Sequence, residues 1–246
     1  MKPAALVFDL DDTLFPERDF VRSGIAAAGR WLQRERGIHG FTAVARSLYG
    51  DGVRGTIFDE TLERLGIEDA GARIPQLVEV YRAHRPRLAL HPDARWALGR
   101  FARRIKLGLI TDGYARTQRN KVASLGLGPV FDAVVFTDDL GRKHWKPSPR
   151  PFRAMMQALE CAGPECVYVG DNPAKDFVAP NRLGWLTVQI VRPGGEYRAT
   201  AIGALPKGHR PRHVIRSLRE LTAILPASAR RPAGANPARK QLATLP

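Results

Sequence analysis

The stretch Ala5–Phe15, ALVFDLDDTLF, drives an apolar run straight into three aspartates and a threonine. In an extended strand successive side chains face opposite sides, so Asp9, Asp11 and Thr13 are expected on one side and Leu10 and Asp12 on the other. Two carboxylates then converge. At about 4 Å and an effective dielectric of about 20 such a pair repels by roughly 4 kcal/mol, so it requires a cation, a shared proton or solvent. Taken alone, a D-x-D pattern is more often a solvated loop with a helix cap, and the rest of the chain has to decide.

The chain has 246 residues, enough for one good core with room for a second small domain, and its 44% hydrophobic content is that of a globular protein. No apolar stretch approaches the roughly 18 residues of a membrane span, and the short N-terminal apolar run ends in acids instead of a cleavage site. A cytoplasmic protein with no membrane partner is the expectation. The formal charge of +15 raises nucleic acid as a partner. Its arginines are scattered, however, and no DNA- or RNA-binding motif collects them, so Arg-rich coding in a GC-rich genome explains the charge more simply. Cys161 and Cys166 have no second ligand pair beside them and read as reduced, structural cysteines.

Outward from the first strand, residues 16–90 show helical periodicity, as in RDFVRSGIAAAGRWLQRERG, GTIFDETLERLG and IPQLVEVYRAHR, which close on glycine or before proline. They form an inserted helical domain, because α/β alternation resumes only afterwards. From PDARWALGRFARR onward helices alternate with the strands IKLGLIT, FDAVVFT, CVYVGD and WLTVQIV, the last preceded by the helix AKDFVAPNRLG. Short apolar strands separated by helices indicate a doubly wound parallel sheet, built here from residues 1–15 and 91–226, with ligands at the carboxyl ends of its strands. PRHVIRSLRELTAIL is expected to be a last amphipathic helix, and the Pro-, Ala- and Arg-rich residues 227–246 a disordered basic tail.

The polar residues now fall in one structural class, because they follow strands directly. Asp9 and Asp11 follow the first, Thr111, Asp112 and Gly113 the next, and Gly170 and Asp171 a later one, while Lys146 sits in the loop before PSPRPF, where Ser148 can cap a helix starting at Pro149. Asn172 and Pro173 suit a helix start, with Asp176 in the first turn. Asp9, Asp11 and Asp171 offer an oxygen-rich site suited to Mg²⁺, and Lys146, the Thr111 hydroxyl and nearby N–H groups suit a phosphate dianion. Each has a plainer alternative. Thr111 or Asp112 can cap a helix, Lys146 can be a solvated surface lysine, and Asp176 can complement a helix dipole.

Asp9-x-Asp11-x-Thr13, Thr111, Lys146 before PSPRPF, and Gly170-Asp171 with Asp176 together resemble, in order, the four motifs of the haloacid dehalogenase-like (HAD) hydrolase superfamily. The helical insertion resembles that superfamily's C1 cap. The resemblance spans about residues 4–225 and implies a Rossmann-like core and a Mg²⁺-dependent phosphatase. It implies Asp9 as the nucleophile that forms an aspartyl-phosphate and Asp11 as general acid and base. Mg²⁺ would be held by the Asp9 carboxylate, the Asp11 main-chain carbonyl and Asp171, supported by Thr13, Asn172 and Asp176. Phosphate would be held by Thr111, Lys146, Gly113 and, less simply, Asp112, which stands where C1-capped relatives often carry asparagine. A carboxylate there is unfavourable unless it faces the metal, accepts backbone N–H bonds or meets a leaving-group hydroxyl.

Dehalogenation needs neither metal nor a second aspartate, and the superfamily's phosphonate cleavage needs a cap lysine, whereas no lysine occurs between Pro3 and Ile105. A phosphosugar mutase stays open, as does a polyanion-binding protein with a vestigial site. Phe15, Phe20, Arg22, Trp31, Arg54 and Phe58 are candidates to line the cap, though aromatics at helical spacing are more often core. By family analogy the substrate is a small phosphorylated metabolite, a sugar phosphate or nucleotide. Oligomeric state is not legible.

Overall fold

In the computed structural model, residues 3–67, 70–197, 202–225 and 240–241 are described. The chain opens with β1 (Ala5–Phe8), followed by four helices, α1 (Glu17–Arg36), α2 (Phe41–Gly50), α3 (Ile57–Arg64) and α4 (Ala70–Ala83). It then runs through α5 (Pro92–Phe101), β2 (Lys106–Thr111), α6 (Ala115–Ser124), β3 (Ala133–Phe136), α7 (Arg150–Leu159) and β4 (Cys166–Gly170). After these come α8 (Val178–Arg182), β5 (Leu186–Ile190), β6 (His213–Ile215), α9 (Leu221–Ile224) and a two-residue β7 (Lys240–Gln241).

The strands pair in parallel in the order β6-β5-β4-β1-β2-β3-β7. β1 alternates across the sheet as period-two geometry requires: Leu6 and Phe8 join one buried cluster, Ala5 and Val7 the other. Both faces are covered, which is why these strands read as unbroken apolar runs. The winding reverses direction at β1, so a crevice opens beyond the carboxyl ends of β1, β2 and β4. Helices α1–α4 enclose a separate cluster around Ile25, Ala28, Leu32, Phe41, Leu62 and Leu77. Among the described residues no helix is long and apolar enough to cross a membrane.

Several expectations need correction. Strand geometry ends at Phe8, and Asp12 turns into the left-handed region at φ 48°; Asp9 and Asp11 still line one cavity, while Leu10 packs into the core. In AKDFVAPNRLG only Val178–Arg182 is α-helical, which leaves Asp176 in the preceding turn. The helix after Lys146 begins at Arg150, one residue later than expected, with Ser148 Oγ accepting the Arg150 N–H at 3.3 Å. PRHVIRSLRELTAIL is not one helix: its first part is the edge strand β6. The helical part starts only after Ser217, where Ser217 and Glu220 form a capping box. Of residues 227–246 the structure describes Lys240–Gln241, paired with Ala133 and Val134; the remainder, on which the expected disorder falls, lies outside the described residues. Phe15 and Phe20 are core residues, not lining, and Trp31 packs on the α1–α4 cluster. Cys161 and Cys166 are buried free thiols.

One clamp gives a stability prediction. Arg192, just past β5, grips both oxygens of Asp93 at 2.9 and 2.7 Å, and the Leu218 N–H adds a third bond at 2.8 Å. Partial burial would raise the Asp93 pKa, but Arg192 and the Leu218 N–H outweigh it and hold the carboxyl below its usual 3.8. A depressed carboxylate contributes stability that is complete above the unfolded pKa and lost as pH falls through the folded one. Acid titration of the melting temperature should therefore show a loss below about pH 4 that is smaller in Asp93→Asn. The two proteins losing stability in parallel would contradict this.

Candidate active site

The three carboxylates that follow β1 go to different partners. Asp12, 8% exposed, accepts the N–H groups of Glu17 at 2.9 Å and Glu196 at 3.0 Å, capping the start of α1 and tying it to the loop after β5. Asp9, at the end of β1, receives the Lys146 ammonium at 2.6 Å. Asp11 receives Lys121 Nζ on Oδ1 at 2.7 Å and Gln118 Nε2 on Oδ2 at 2.8 Å, both from α6.

Lys146 is not a surface lysine. Its Nζ donates to Asp9 Oδ1, to Asp176 Oδ1 at 2.8 Å and to the Tyr168 hydroxyl at 3.1 Å, so each of its three N–H bonds has an acceptor. Burial opposes its charge, but Asp176 and Asp9 outweigh burial and hold the ammonium well above the usual lysine range. Asp176 Oδ2 also accepts the Asn172 N–H at 2.9 Å, and Asn172 Oδ1 accepts that of Ala174 at 2.9 Å, which locks the turn. Gly170 permits this approach: a Cβ there would lie 2.4 Å from Asp176 Oδ2.

The carboxylates of Asp9, Asp171 and Asp176 can bring one oxygen each within 4.8 Å of one another. Burial pushes the Asp9 pKa up to about 6 against the pull of Lys146, and burial with repulsion from Asp176 and Asp9 pushes Asp171 well above the carboxylate range. Such a group of buried oxygen donors, short of positive charge, fits a hard divalent cation. The Asp11 carboxyl is not part of this group, in which Asp176 stands beside Asp9 and Asp171; the part expected of Asp11 at a metal is its main-chain carbonyl.

Thr111, buried at the end of β2, accepts Gln118 Nε2 on its hydroxyl oxygen. Its own proton is thereby left to donate elsewhere. Gly113 adopts φ 118°, a conformation favouring glycine, and lines a cavity together with Asp9 and Lys146. Asp112 fits one of the conditions named for it: its Oδ1 accepts the Lys146 N–H at 3.1 Å and the Thr137 hydroxyl at 2.7 Å, while Lys175 lies 3.3 Å from Oδ2. Burial would raise its pKa, but Lys146 and Lys175 lead the groups that lower it. It fastens the Lys146 loop to the end of β2. Neither Thr111 nor Asp112 caps α6, whose Ala115 N–H goes to Asp138 at 3.0 Å. Thr13 is buried, and among the described residues its Oγ1 has no hydrogen-bond partner, while its carbonyl accepts Arg192 at 2.7 Å.

Of these groups Asp9, Asp11, Asp112, Gly113, Lys146, Asp171, Asn172 and Lys175 line a cavity of about 330 Å³. Beside it, sharing Glu17 and Glu196, lies one of about 600 Å³ bordered by Arg22 and Arg54, while Phe58 lines a third, mostly apolar space within α1–α4. Gln118, Lys121, Tyr168 and Lys175 are the residues that sequence reasoning missed.

The haloacid dehalogenase-like hydrolase family model matches residues 3–184. The glyceraldehyde 3-phosphate phosphatase of Methanopyrus kandleri is 31% identical over 206 residues, covering 79% of this chain and 85% of that protein. The phosphoserine phosphatase of Thermus thermophilus is 37% identical over 140 residues, about half of either chain (56% and 55%). Bacillus subtilis YfnB, a HAD hydrolase whose crystal structure is bound to magnesium, superposes with a TM-score of 0.66 at 21% identity, covering 92% of this chain and 100% of that one, a likeness of fold. A HAD phosphatase from Thermococcus onnurineus does so with a TM-score of 0.59 at 25% identity over 93% and 99%. The chain belongs to the haloacid dehalogenase-like hydrolases. Within that family it is a phosphoric monoester hydrolase.

Proposed function

We propose that this enzyme is a Mg²⁺-dependent phosphatase of small phosphomonoesters that works through an aspartyl-phosphate on Asp9, with residues 16–90 as its cap. The observation carrying the reading is the convergence of Asp9, Lys146, Asp171 and Asp176 at the sheet's carboxyl edge, beside a hydroxyl with a proton to give.

Lys146 fixes the Asp9 carboxylate so that its other oxygen attacks phosphorus in line with the departing oxygen. The Asp11 carboxyl passes a proton to that oxygen. As a carboxylate it then takes a proton from the water that attacks the phosphoenzyme, releasing inorganic phosphate and restoring Asp9. Thr111 donates its hydroxyl proton to a phosphoryl oxygen, and Lys146 shares one of its N–H bonds with another. Asp9, Asp171 and the Asp11 main-chain carbonyl would hold Mg²⁺, with Asp176 behind them. When bound, the ion supplies charge neutralisation to the phosphoryl oxygens.

The named relatives act on glyceraldehyde 3-phosphate and phosphoserine, and the cavity of about 330 Å³ suits a substrate of that size. A metal-supplemented screen of phosphorylated metabolites, with p-nitrophenyl phosphate as control, tests the reading. Phosphate release without added metal after chelation would contradict the cofactor.

Binding alone gives an independent measurement. A ligand held only by the folded state at a hundred times its Kd stabilises by about 2.7 kcal/mol, worth roughly 5–10 °C in a domain of this size. Magnesium should raise the melting temperature by that order in the wild type and not in Asp171→Asn. An equal shift in both would remove Asp171 as a ligand.

A further inference from the structure

Helix α6, ARTQRNKVAS, carries only one large aliphatic residue, yet Thr117, Gln118, Lys121 and Val122 are all buried. Lys121 is 3% exposed and Gln118 1% exposed, so two long polar side chains occupy the inward stripe where apolar ones are normal. Their cost has to be met by partners. Lys121 meets Asp11 at 2.7 Å and Glu17 at 3.6 Å, with its ammonium 4.4 Å from the centre of the Phe20 ring. Gln118 bridges Asp11 Oδ2, at 2.8 Å, and the Thr111 hydroxyl oxygen.

The mount is rigid. On the neighbouring face of α6, Thr117 donates to the Arg82 carbonyl at 3.2 Å, Asn120 to those of Ala83 and His84 at 3.1 and 3.2 Å, and Ser124 to that of Pro86 at 2.7 Å. Both oxygens of Asp11 are therefore held by donors fixed to one helix. A carboxyl oxygen has two acceptor directions, and Gln118 occupies only one on Oδ2, which leaves the other for the proton exchanged with substrate.

We propose that Gln118 and Lys121 are positioning residues for proton transfer: they aim the Asp11 carboxyl at the leaving oxygen. The inference rests on Asp11 being the general acid. A misaimed acid matters most where the leaving group most needs its proton. The test compares kcat/KM for p-nitrophenyl, phenyl and p-methoxyphenyl phosphates, in order of increasingly basic leaving groups, in magnesium buffer. The wild type should show little dependence on the leaving group. Lys121→Met and the milder Gln118→Ala should stay within about 5-fold of it on p-nitrophenyl phosphate and lose about 50-fold or more on the other two, and Lys121→Arg should recover most of the loss. An equal loss across the series, or none, overturns the proposal. Wild-type protein inert toward all three would instead sink the phosphatase reading. In that case a thermal double-mutant cycle of Lys121→Met with Asp11→Asn still decides the arrangement: coupled effects support it, and additive ones overturn it.

Discussion

Asp9→Asn should fold normally and lose turnover by about 10⁴-fold or more, on the scale seen when a covalent nucleophile is removed. The fold should survive because the amide keeps an oxygen for the Lys146 ammonium, which now lies 2.6 Å from Asp9 Oδ1. The change also removes one of three carboxylates crowded within 4.8 Å, a group whose pKa burial raises to about 6, so its ionised form is disfavoured before any cation binds. A melting temperature close to that of the wild type is expected beside the lost activity. An amide oxygen is too weak a nucleophile to attack phosphorus. Acid quenching after mixing with radiolabelled substrate should trap a hydroxylamine-sensitive phosphoprotein in the wild type and none in the variant. A variant with full turnover would refute the nucleophile. One that is inactive because it has unfolded would refute the stability argument instead.

The site was legible in the sequence to the extent that its chemistry sits at strand ends. A buried parallel strand is a short apolar run, so the first polar residues after it mark the edge where ligands gather, and Asp9, Thr111 and Asp171 were found that way. Gln118 and Lys121 were not, because polar residues in mid-helix normally face water. The signal was the missing apolar stripe: a helix that covers a sheet without aliphatic residues must turn something polar inward. The edge strand β6 was missed because its three residues, His213–Ile215, are too few to show a period and, among the described residues, pair along one side only. The capping box at Ser217 and Glu220 marked where the helix starts and would have freed the preceding residues to be a strand. Asp112 was ambiguous for another reason. What decides its role is Thr137, the Lys146 N–H and Lys175, none of them close to it in sequence.

Lys146→Met should be the most damaging single change to the fold of the site, costing about 3–5 kcal/mol, because it leaves two buried carboxylates without their cation. Asp9 and Asp176 are 4% and 0% exposed, and the lost ammonium served both together with the Tyr168 hydroxyl. Methionine fills much the same volume, so the penalty is electrostatic and not a cavity. In a chain of this length the loss corresponds to a fall in melting temperature of roughly 6–20 °C. Catalysis should fall by about 10²–10³-fold even where the variant is folded, as when one donor to the transition-state oxyanion is removed. Two origins of the instability can be told apart by adding Asp176→Asn. If orphaned charge is the cause, the double variant is more stable than Lys146→Met alone, because neutralising Asp176 removes one of the two unpaired carboxylates, while activity stays low. If Lys146 matters only through packing of its stem, the second substitution brings no recovery and the costs add. The first outcome is expected, since all three N–H bonds of this lysine end on oxygen and none of its charge reaches water.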